Sequence, residues 1–206
     1  MIQLRTSVLG LIAALGLVAA ASAQNLLTIN PDFDSGLGLT SWQTGNGSWA
    51  LGADSGSCLL SGSAEGTSAD TGGTQVMVMV SEQCVPVDAV ATPTLYLGAL
   101  YKSAADVYAR LYLQFFSDGS CATFDGWSAT VFASISPTWN SILGPIPISA
   151  TAGSAKVWAE YIPASAAEPQ YTGSYDRIYL GVLPWIFVDD FEAESGSACH
   201  WSTIVG

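Results

Sequence analysis

Short stretches of alternating apolar and polar residues recur along most of this chain, separated by Gly, Pro, Asp and Ser. The clearest runs from Val107 to Phe116, where Tyr108, Arg110, Tyr112 and Gln114 fall on one face and apolar residues fall on the other. Alternation with a period of two predicts an antiparallel strand with one buried face. No stretch of helical length after the first residues repeats its apolar positions with the period of an α-helix. The pattern therefore predicts an all-β protein.

Other short apolar or β-branched runs extend this interpretation along the chain. The predicted strands are Leu26–Ile29, Ser48–Leu51, Cys58–Leu60, Gln75–Val80, Leu95–Tyr101, Val107–Phe116, Ala129–Ala133, Trp139–Leu143, Ala155–Ile162 and Arg177–Phe191, the last broken near Pro184. The segment from Gly62 to Thr74 is rich in Gly, Ser and Thr and is predicted to be a long polar loop. Short strands at regular spacing are typical of a sandwich or barrel. We expect residues 24–192 to form a single antiparallel β-sandwich (jelly roll), followed by a C-terminal tail over 193–206.

The first residues have the features of a leader. Arg5 precedes an unbroken apolar stretch from Val8 to Ala21, and Ala21-Ser22-Ala23 provides the small residues of a cleavage site. An uncleaved anchor is the alternative, but the stretch is shorter than the roughly 20 apolar residues that span a bilayer. We predict that residues 1–23 are a signal peptide. The mature protein is then expected in the periplasm, in the medium or at the cell surface, without membrane insertion.

The charge balance excludes several classes of partner. The full chain carries a net charge of −12, and removal of the leader leaves Lys102, Arg110, Lys156 and Arg177 as its basic side chains against 17 acidic ones. Affinity for nucleic acids and anionic lipids depends on clustered Lys and Arg. The sequence therefore predicts no nucleic-acid partner and favours neutral ligands over polyanions.

Four cysteines remain in the predicted mature chain, namely Cys58, Cys84, Cys121 and Cys199. An even number of cysteines in an exported protein favours disulfides over free thiols. A zinc site is the competing interpretation, but the chain has no Cys-x-x-Cys pair and its one histidine is His200. Four cysteines allow three pairings, and their spacing does not select among them.

Several short motifs resemble those of bacterial secreted jelly-roll domains of the galactose-binding-like, carbohydrate-binding-module type. The motifs are Asn30-Pro31-Asp32-Phe33-Asp34 with Gly36 and Trp42, Gln83-Cys84-Val85-Pro86-Val87, Leu95-Tyr96-Leu97-Gly98-Ala99, Leu113-Gln114-Phe115-Phe116, Ser117-Asp118-Gly119-Ser120-Cys121, Trp139 and the terminal Asp189-Asp190-Phe191. The resemblance covers nearly all of the predicted mature chain. It implies a jelly-roll sandwich, with Trp42 and Trp139 at positions that belong to its core.

The resemblance also implies a structural calcium ion. Acidic motifs stand near both ends of the chain, and strands near the termini of a sandwich can lie side by side. Ca²⁺ prefers oxygen ligands. By position, the family's ligands correspond to Asp34 with Asp189 or Asp190, and Asp32 is an accessory candidate. The alternative is that these carboxylates cap turns and bind no metal.

Secreted members of the family often join the cysteine of the Gln-Cys-Val segment to one in the loop after the Phe-Phe strand. In this chain the resemblance implies a disulfide between Cys84 and Cys121, and with it one between Cys58 and Cys199.

The catalytic groups of common hydrolases are scarce in this chain. A Ser-His-Asp triad needs an imidazole base, and His200 lies in the predicted tail. A glycosidase needs two facing carboxylates. The candidates for such a pair, which we interpret instead as turn residues or solvated strand positions, are Glu160, Asp176, Asp118 and Asp125. We therefore expect no enzymatic activity.

Aromatic side chains are better candidates for a binding site, because sugar rings pack their C–H faces on aromatic planes. The candidates are Trp127, Tyr112, Tyr108, Trp49 and Trp158, and Trp127 is expected to be the most exposed because it follows a predicted turn. Two hypotheses follow. One is a noncatalytic protein that binds a neutral glycan or glycoconjugate, and the other is a structural or protein-interaction module without a sugar ligand. An exposed group of aromatic rings on one sheet favours the first, whereas a flat polar face favours the second.

Overall fold

The computed structural model describes residues 24–56, 61–69, 76–104, 107–164 and 170–184. The strands in chain order are β1 (Trp42–Gly45), β2 (Ser48–Gly52), β3 (Ser63–Thr67), β4 (Met77–Ser81), β5 (Val85–Pro86), β6 (Thr94–Ser103), β7 (Val107–Phe116), β8 (Phe124–Trp127), β9 (Val131–Ala133), β10 (Asn140–Pro147), β11 (Ser154–Pro163) and β12 (Thr172–Gly181). These residues contain no helix, so within them no helix is available to cross a membrane.

The strands form two antiparallel sheets. The first has seven strands in the order β1-β4-β11-β7-β8, with β5 also paired to β11 and β9 also paired to β7. The second has five strands in the order β10-β6-β12-β3-β2. The predicted antiparallel β-sandwich is thereby confirmed.

The strand β7 is central to the first sheet and has the bounds that its alternation predicts. Its apolar positions Leu111, Leu113 and Phe115 are almost completely buried between the sheets. Its polar and aromatic positions therefore face outward, as the sequence predicts. Ten consecutive residue pairs join β7 to β11, which gives this part of the sheet its continuous framework.

Two buried tyrosines link the sheets through the core. The rings of Tyr161 from β11 and Tyr175 from β12 lie 4.5 Å apart between centroids. The Tyr161 hydroxyl donates to the backbone carbonyl of Ser174 at 2.5 Å. The Tyr175 hydroxyl donates to the carbonyl of Glu160 at 2.6 Å. Burial raises the pKa of both phenols well above its ordinary value, so both remain neutral donors.

The disulfide between Cys84 and Cys121 is present, with their Cα atoms 5.8 Å apart. It ties the chain before β5 to the loop between β7 and β8. The resemblance predicted this pairing correctly. The other two cysteines, Cys58 and Cys199, lie outside the described residues, so their pairing stays a prediction.

Some predicted strand bounds are wrong. Leu26–Ile29 is not a strand, although the Leu26 amide donates to the Leu180 carbonyl at 2.6 Å. The predicted loop from Gly62 contains β3, which pairs with both β2 and β12. The last predicted strand begins at Thr172 rather than Arg177. The predicted strand Cys58–Leu60, residues 185–191 of the last strand, the leader and the tail lie outside the described residues.

Candidate functional site

Four aromatic side chains meet on the outward face of the seven-stranded sheet. We call Tyr112, Trp127, Trp158 and Phe124 the aromatic cluster. The Trp127 ring stands edge-on to Tyr112, with centroids 5.3 Å apart, and to Trp158, with centroids 5.1 Å apart. The rings of Tyr112 and Trp158 stack at 5.7 Å, and Phe124 lies 5.4 Å from Trp127. The structure thus brings together three residues predicted separately as ligand contacts.

Strand pairing explains why these rings converge. Tyr112 of β7 is directly opposite Trp158 of β11, and Trp127 of β8 is opposite Gln114 at the other edge of β7. Directly paired residues of an antiparallel ladder project on the same side of the sheet. Three neighbouring strands therefore supply rings to a shared surface, one each from β7 and β11 and two from β8.

The exposure of the rings differs across the aromatic cluster. Trp127 is 50% exposed and Phe124 is 53% exposed. Tyr112 is buried to 9% exposure beneath its neighbours, and Trp158 is half-buried. The predicted exposure of Trp127 is confirmed. An incoming ring would therefore meet Trp127 and Phe124 first, with the other two rings supporting them from below.

A polar group borders the aromatic cluster. The Arg110 Nε donates to Glu160 Oε2 at 2.8 Å, and Arg110 Nη2 donates to the same oxygen. The Tyr112 hydroxyl donates to the other carboxylate oxygen of Glu160. Burial, together with this hydrogen bond, raises the pKa of Tyr112 well above its ordinary value. The three side chains form one connected network beside the rings.

A hydrogen bond to a side-chain amide orients Trp158. Its indole Nε1 donates to the side-chain oxygen of Gln114 at 3.0 Å. Gln114 is opposite Trp127 on one side of β7 and opposite Lys156 on the other. This bond fixes the Trp158 ring, and it places an amide group at the edge of the aromatic surface.

The sequence alone does not indicate Phe124, Arg110 or Gln114 as parts of a site, and it suggests Glu160 only as a candidate catalytic carboxylate. The alternation places Arg110 and Gln114 on the same face as Tyr108 and Tyr112. That shared face is the signal from which both could be inferred to border a site. Phe124 gives no comparable indication, because it belongs to Phe124-Asp125-Gly126, whose residues are typical of a turn. Its place in the cluster depends on the pairing of β8 with β7.

The remaining predicted ligand residues lie elsewhere. Tyr108 is on the same outward face as Tyr112 but nearer the start of β7, and it is 41% exposed. Trp49 lies on β2 in the other sheet, packed over Gly66. A Cβ at that glycine would approach the indole ring to 3.1 Å. Trp49 therefore does not join the aromatic cluster.

The two tryptophans assigned to the core differ. Trp42 is buried, and its ring lies 5.6 Å from that of Phe33. Its Nε1 donates to the Asn30 carbonyl at 3.0 Å. Trp139 is only half-buried, with the Lys102 ammonium 5.1 Å from its ring centroid. The prediction of a core position is correct for Trp42 and wrong for Trp139, which lies just before β10 near the surface.

The predicted calcium ligands are only partly described. Asp34 is exposed, and its Oδ1 accepts the Gly36 amide at 2.7 Å, which is the hydrogen bond of a turn cap. Asp32 is also exposed, whereas Asp189 and Asp190 lie outside the described residues. Within the described residues, no group of three or more His, Cys, Asp or Glu side chains is arranged to hold a metal ion. The described residues do not provide a complete calcium site, so calcium stays a prediction that depends on Asp189 and Asp190.

The carboxylates considered for catalysis are all engaged in structural contacts. Asp118 caps a turn, and hydrogen bonds from Ser120, Ala122 and Thr123 lower its pKa well below its ordinary value. Asp125 accepts from the hydroxyls of Ser149 and Thr151. Asp118 matches the expectation of a turn role, whereas Asp125 lies within β8 and is bonded to the hydroxyls that follow β10.

Glu160 and Asp176 do not match that expectation, because neither is a solvated strand residue. Glu160 is buried and bound to Arg110 and Tyr112. Asp176 is fully buried and accepts the Ser55 amide at 2.9 Å. Burial raises the pKa of Asp176 to about 7, although Ser55 and Arg177 oppose that shift. The two carboxylates lie on different sheets, so they do not form a facing pair.

No protein-family model and no curated protein matches this sequence. Solved structures match it in fold. TmCBM61, a structure in complex with β-1,4-galactotriose, superposes with a TM-score of 0.53 at 13% identity, covering 76% of this chain and 97% of that one. This protein therefore shares the jelly-roll sandwich fold of TmCBM61, as the resemblance implied.

Two larger proteins contain a similar sandwich. The enzymatically active domain of the bacteriophage CBA120 tailspike protein 4 superposes with a TM-score of 0.57 at 12% identity, over 76% of this chain. An exo-β-agarase superposes with a TM-score of 0.50 at 10% identity, over 80% of this chain. This chain spans only 21% of the tailspike chain and 26% of the agarase chain. At these identities the likeness concerns the fold alone.

Proposed function

We propose that this protein is an exported, noncatalytic module that binds neutral glycans or glycoconjugates. The observation that carries the proposal is the aromatic cluster, with two half-exposed rings on the outward face of a sheet and a polar network beside them. Trp127 and Phe124 offer planes for the C–H faces of sugar rings. Arg110 and Gln114 offer groups that can hydrogen-bond sugar hydroxyls.

The fold is consistent with this proposal but is not sufficient evidence for it, since one fold serves many functions. TmCBM61 has the same sandwich and was solved with a galactotriose. The net charge of −12 favours a neutral ligand over a polyanion. The half-exposed rings, in place of a flat polar face, favour glycan binding over a structural module without a sugar ligand.

The contacts of Glu160 support a role in binding without turnover. Glu160 is the one carboxylate on β7 and β11, the strands at the centre of this face. Both of its oxygens are bound, one to Arg110 and the other to Tyr112. A glycosidase needs a second carboxylate across the scissile bond. We therefore expect Glu160 to orient Arg110 and Tyr112 rather than to transfer a proton.

The test is a neutral glycan array probed with the mature protein, alongside Trp127→Ala. We expect signals on a defined set of neutral glycans that weaken strongly in the variant. The same glycans incubated with the protein should release no reducing ends. An array without signal, together with specific capture of a surface protein, would instead support the structural module.

A further inference from the structure

A second pair of exposed aromatic residues lies on the same sheet face, away from the aromatic cluster. Phe132 of β9 is 58% exposed and Tyr108 of β7 is 41% exposed. Together with Ala133 and Ser134 they line a groove of about 300 Å³. We call this the distal groove. The contacts proposed above for a sugar do not include it.

The ladder gives the separation of the two aromatic groups. Trp127 is opposite Gln114, and Phe132 is opposite Arg110, along the same edge of β7. Four residues of an antiparallel strand extend roughly 13 Å. The two exposed rings thus stand at opposite ends of one outward-facing edge, farther apart than a single sugar ring can bridge.

Arg110 makes the surface between them continuous. Its guanidinium carbon lies 5.3 Å from the Tyr112 ring centroid and 5.8 Å from that of Phe132. The side chain is 27% exposed, so part of the guanidinium meets solvent. Its Nε and Nη2 bind Glu160, and a guanidinium carries five N–H groups in total. Arg110 therefore offers further donors midway between the two aromatic groups.

We propose that the distal groove is a second binding position for the same ligand, and that the ligand is an internal stretch of a neutral oligosaccharide chain lying along β7. One sugar packs on Trp127 and Phe124, a distant sugar of the same chain packs on Phe132 and Tyr108, and the hydroxyls between them bond Arg110. This inference rests on the proposed function and makes it more specific. A terminal monosaccharide would occupy only one end of the surface and would leave the other without a ligand.

The experiment compares short and long ligands by isothermal titration calorimetry. The probes are the disaccharide and hexasaccharide of the β-1,4-linked galactose, glucose and xylose series. The proteins are the wild type, Phe132→Ala, Tyr108→Ala, Trp127→Ala and, as a control, Val90→Ala, which alters a residue that is 94% exposed and lies before β6.

For at least one series, we expect the wild type to bind the hexasaccharide more than about tenfold tighter than the disaccharide, because only the longer chain reaches both aromatic groups. Phe132→Ala and Tyr108→Ala should each weaken hexasaccharide binding several-fold and leave disaccharide binding unchanged. Trp127→Ala should weaken both, and Val90→Ala neither.

Two results would overturn the inference in different ways. Equal affinity for short and long chains, with Phe132→Ala like the wild type, would reject the distal groove while leaving glycan binding at Trp127 intact. Binding of no neutral oligosaccharide of either length would reject the proposed function and the distal groove together. Circular dichroism of each variant shows whether it is folded, and because Phe132 and Tyr108 are exposed, both variants should keep the wild-type spectrum.

Discussion

The Tyr175 hydroxyl donates a 2.6 Å hydrogen bond across the core to the backbone carbonyl of Glu160. The same hydroxyl accepts the backbone amide of Arg110 at 3.0 Å. A side chain of the five-stranded sheet thus bonds the backbone of Arg110 and Glu160, two of the three residues of the polar network on the outward face of the other sheet. Tyr175 is fully buried, so no water replaces these bonds if the hydroxyl is lost.

Tyr175→Phe should lower the free energy of unfolding by about 1–3 kcal/mol, because it removes the buried hydrogen bonds from the hydroxyl to the backbone of Glu160 and Arg110. Urea denaturation measures the loss. Tyr108→Phe removes a hydroxyl from an exposed ring and should change stability by less than about 0.5 kcal/mol. A Tyr175→Phe variant as stable as the wild type would mean that the inter-sheet hydrogen bonds do not stabilise the fold.

The disulfide between Cys84 and Cys121 closes a separation of 37 residues. A cross-link of this length stabilises a protein by roughly 3–4 kcal/mol when it acts by restricting the unfolded chain. The double variant Cys84→Ala, Cys121→Ala should lose about that much in denaturant unfolding at neutral pH. Adding a reductant should destabilise the wild type more than the double variant, which lacks Cys84 and Cys121 but keeps the predicted Cys58–Cys199 pair. Peptide mapping that finds either cysteine joined elsewhere would contradict the assignment.

Asp176 should make stability depend on pH. Its pKa is raised to about 7 by burial, with Asp54 adding repulsion and Arg177 opposing it. Between about pH 4 and pH 7 the folded protein keeps a proton that the unfolded chain has released. The contribution of the Asp176 carboxyl to the free energy of unfolding is therefore fully present below about pH 4 and is lost as the pH rises to 7. The total loss is roughly 4 kcal/mol at most.

The variant Asp176→Asn does not titrate, so it should show a flatter stability profile than the wild type between pH 4 and pH 7. Denaturant unfolding at several pH values measures both profiles. Asp118 has a lowered pKa and acts in the opposite direction, with its contribution lost as the pH falls below about 4. If the free energy of unfolding of the wild type and of Asp176→Asn changed equally between pH 4 and pH 7, Asp176 would be ionised in the folded protein.

Calcium is predicted to stabilise the protein through Asp34 with Asp189 or Asp190, and Asp32 as an accessory ligand. A cation that binds only the folded state raises its stability according to its concentration relative to its dissociation constant. The melting temperature should be higher in excess calcium than in chelator, and Asp34→Asn should abolish the difference. Asp88→Asn is a matched control, because Asp88 caps a turn through the Val90 and Ala91 amides. If the wild type had the same melting temperature in calcium and in chelator, Asp34 would act only as a turn cap.

The sequence predicts β7 well because one of its faces is fully buried and the other is outward. This makes the alternation of side chains unambiguous and places Tyr108 and Tyr112 correctly. The strand β3, Ser63–Thr67, gives no such indication, since its residues are mostly small or polar. It forms because β2 and β12 pair with it on both sides. Its Gly66 leaves room for the Trp49 ring. Pairing between distant segments, which local pattern does not encode, decides this strand.

The aromatic cluster also depends on pairing between distant segments, which the local sequence pattern does not encode. Tyr112, Trp127 and Trp158 can each be identified as a candidate from residue type and alternation. Their convergence requires that β8 and β11 pair with opposite edges of β7 in one particular register. Asp125-Gly126 is a common turn dipeptide, but here it lies within β8, where an irregularity in the pairing with Phe115 and Phe116 accommodates it. The sequence indicates three of the four members of the aromatic cluster, but neither Phe124 nor the convergence of the four rings.

The central claim is that Trp127 provides the main contact for a neutral glycan. Isothermal titration calorimetry of the mature protein with the strongest oligosaccharide from the array tests it most directly. Trp127→Ala should weaken binding by about tenfold or more, equivalent to about 1.4 kcal/mol or more. Val90→Ala should bind as the wild type does, and the wild type and both variants should unfold at similar urea concentrations. A folded Trp127→Ala that binds with wild-type affinity would contradict the account.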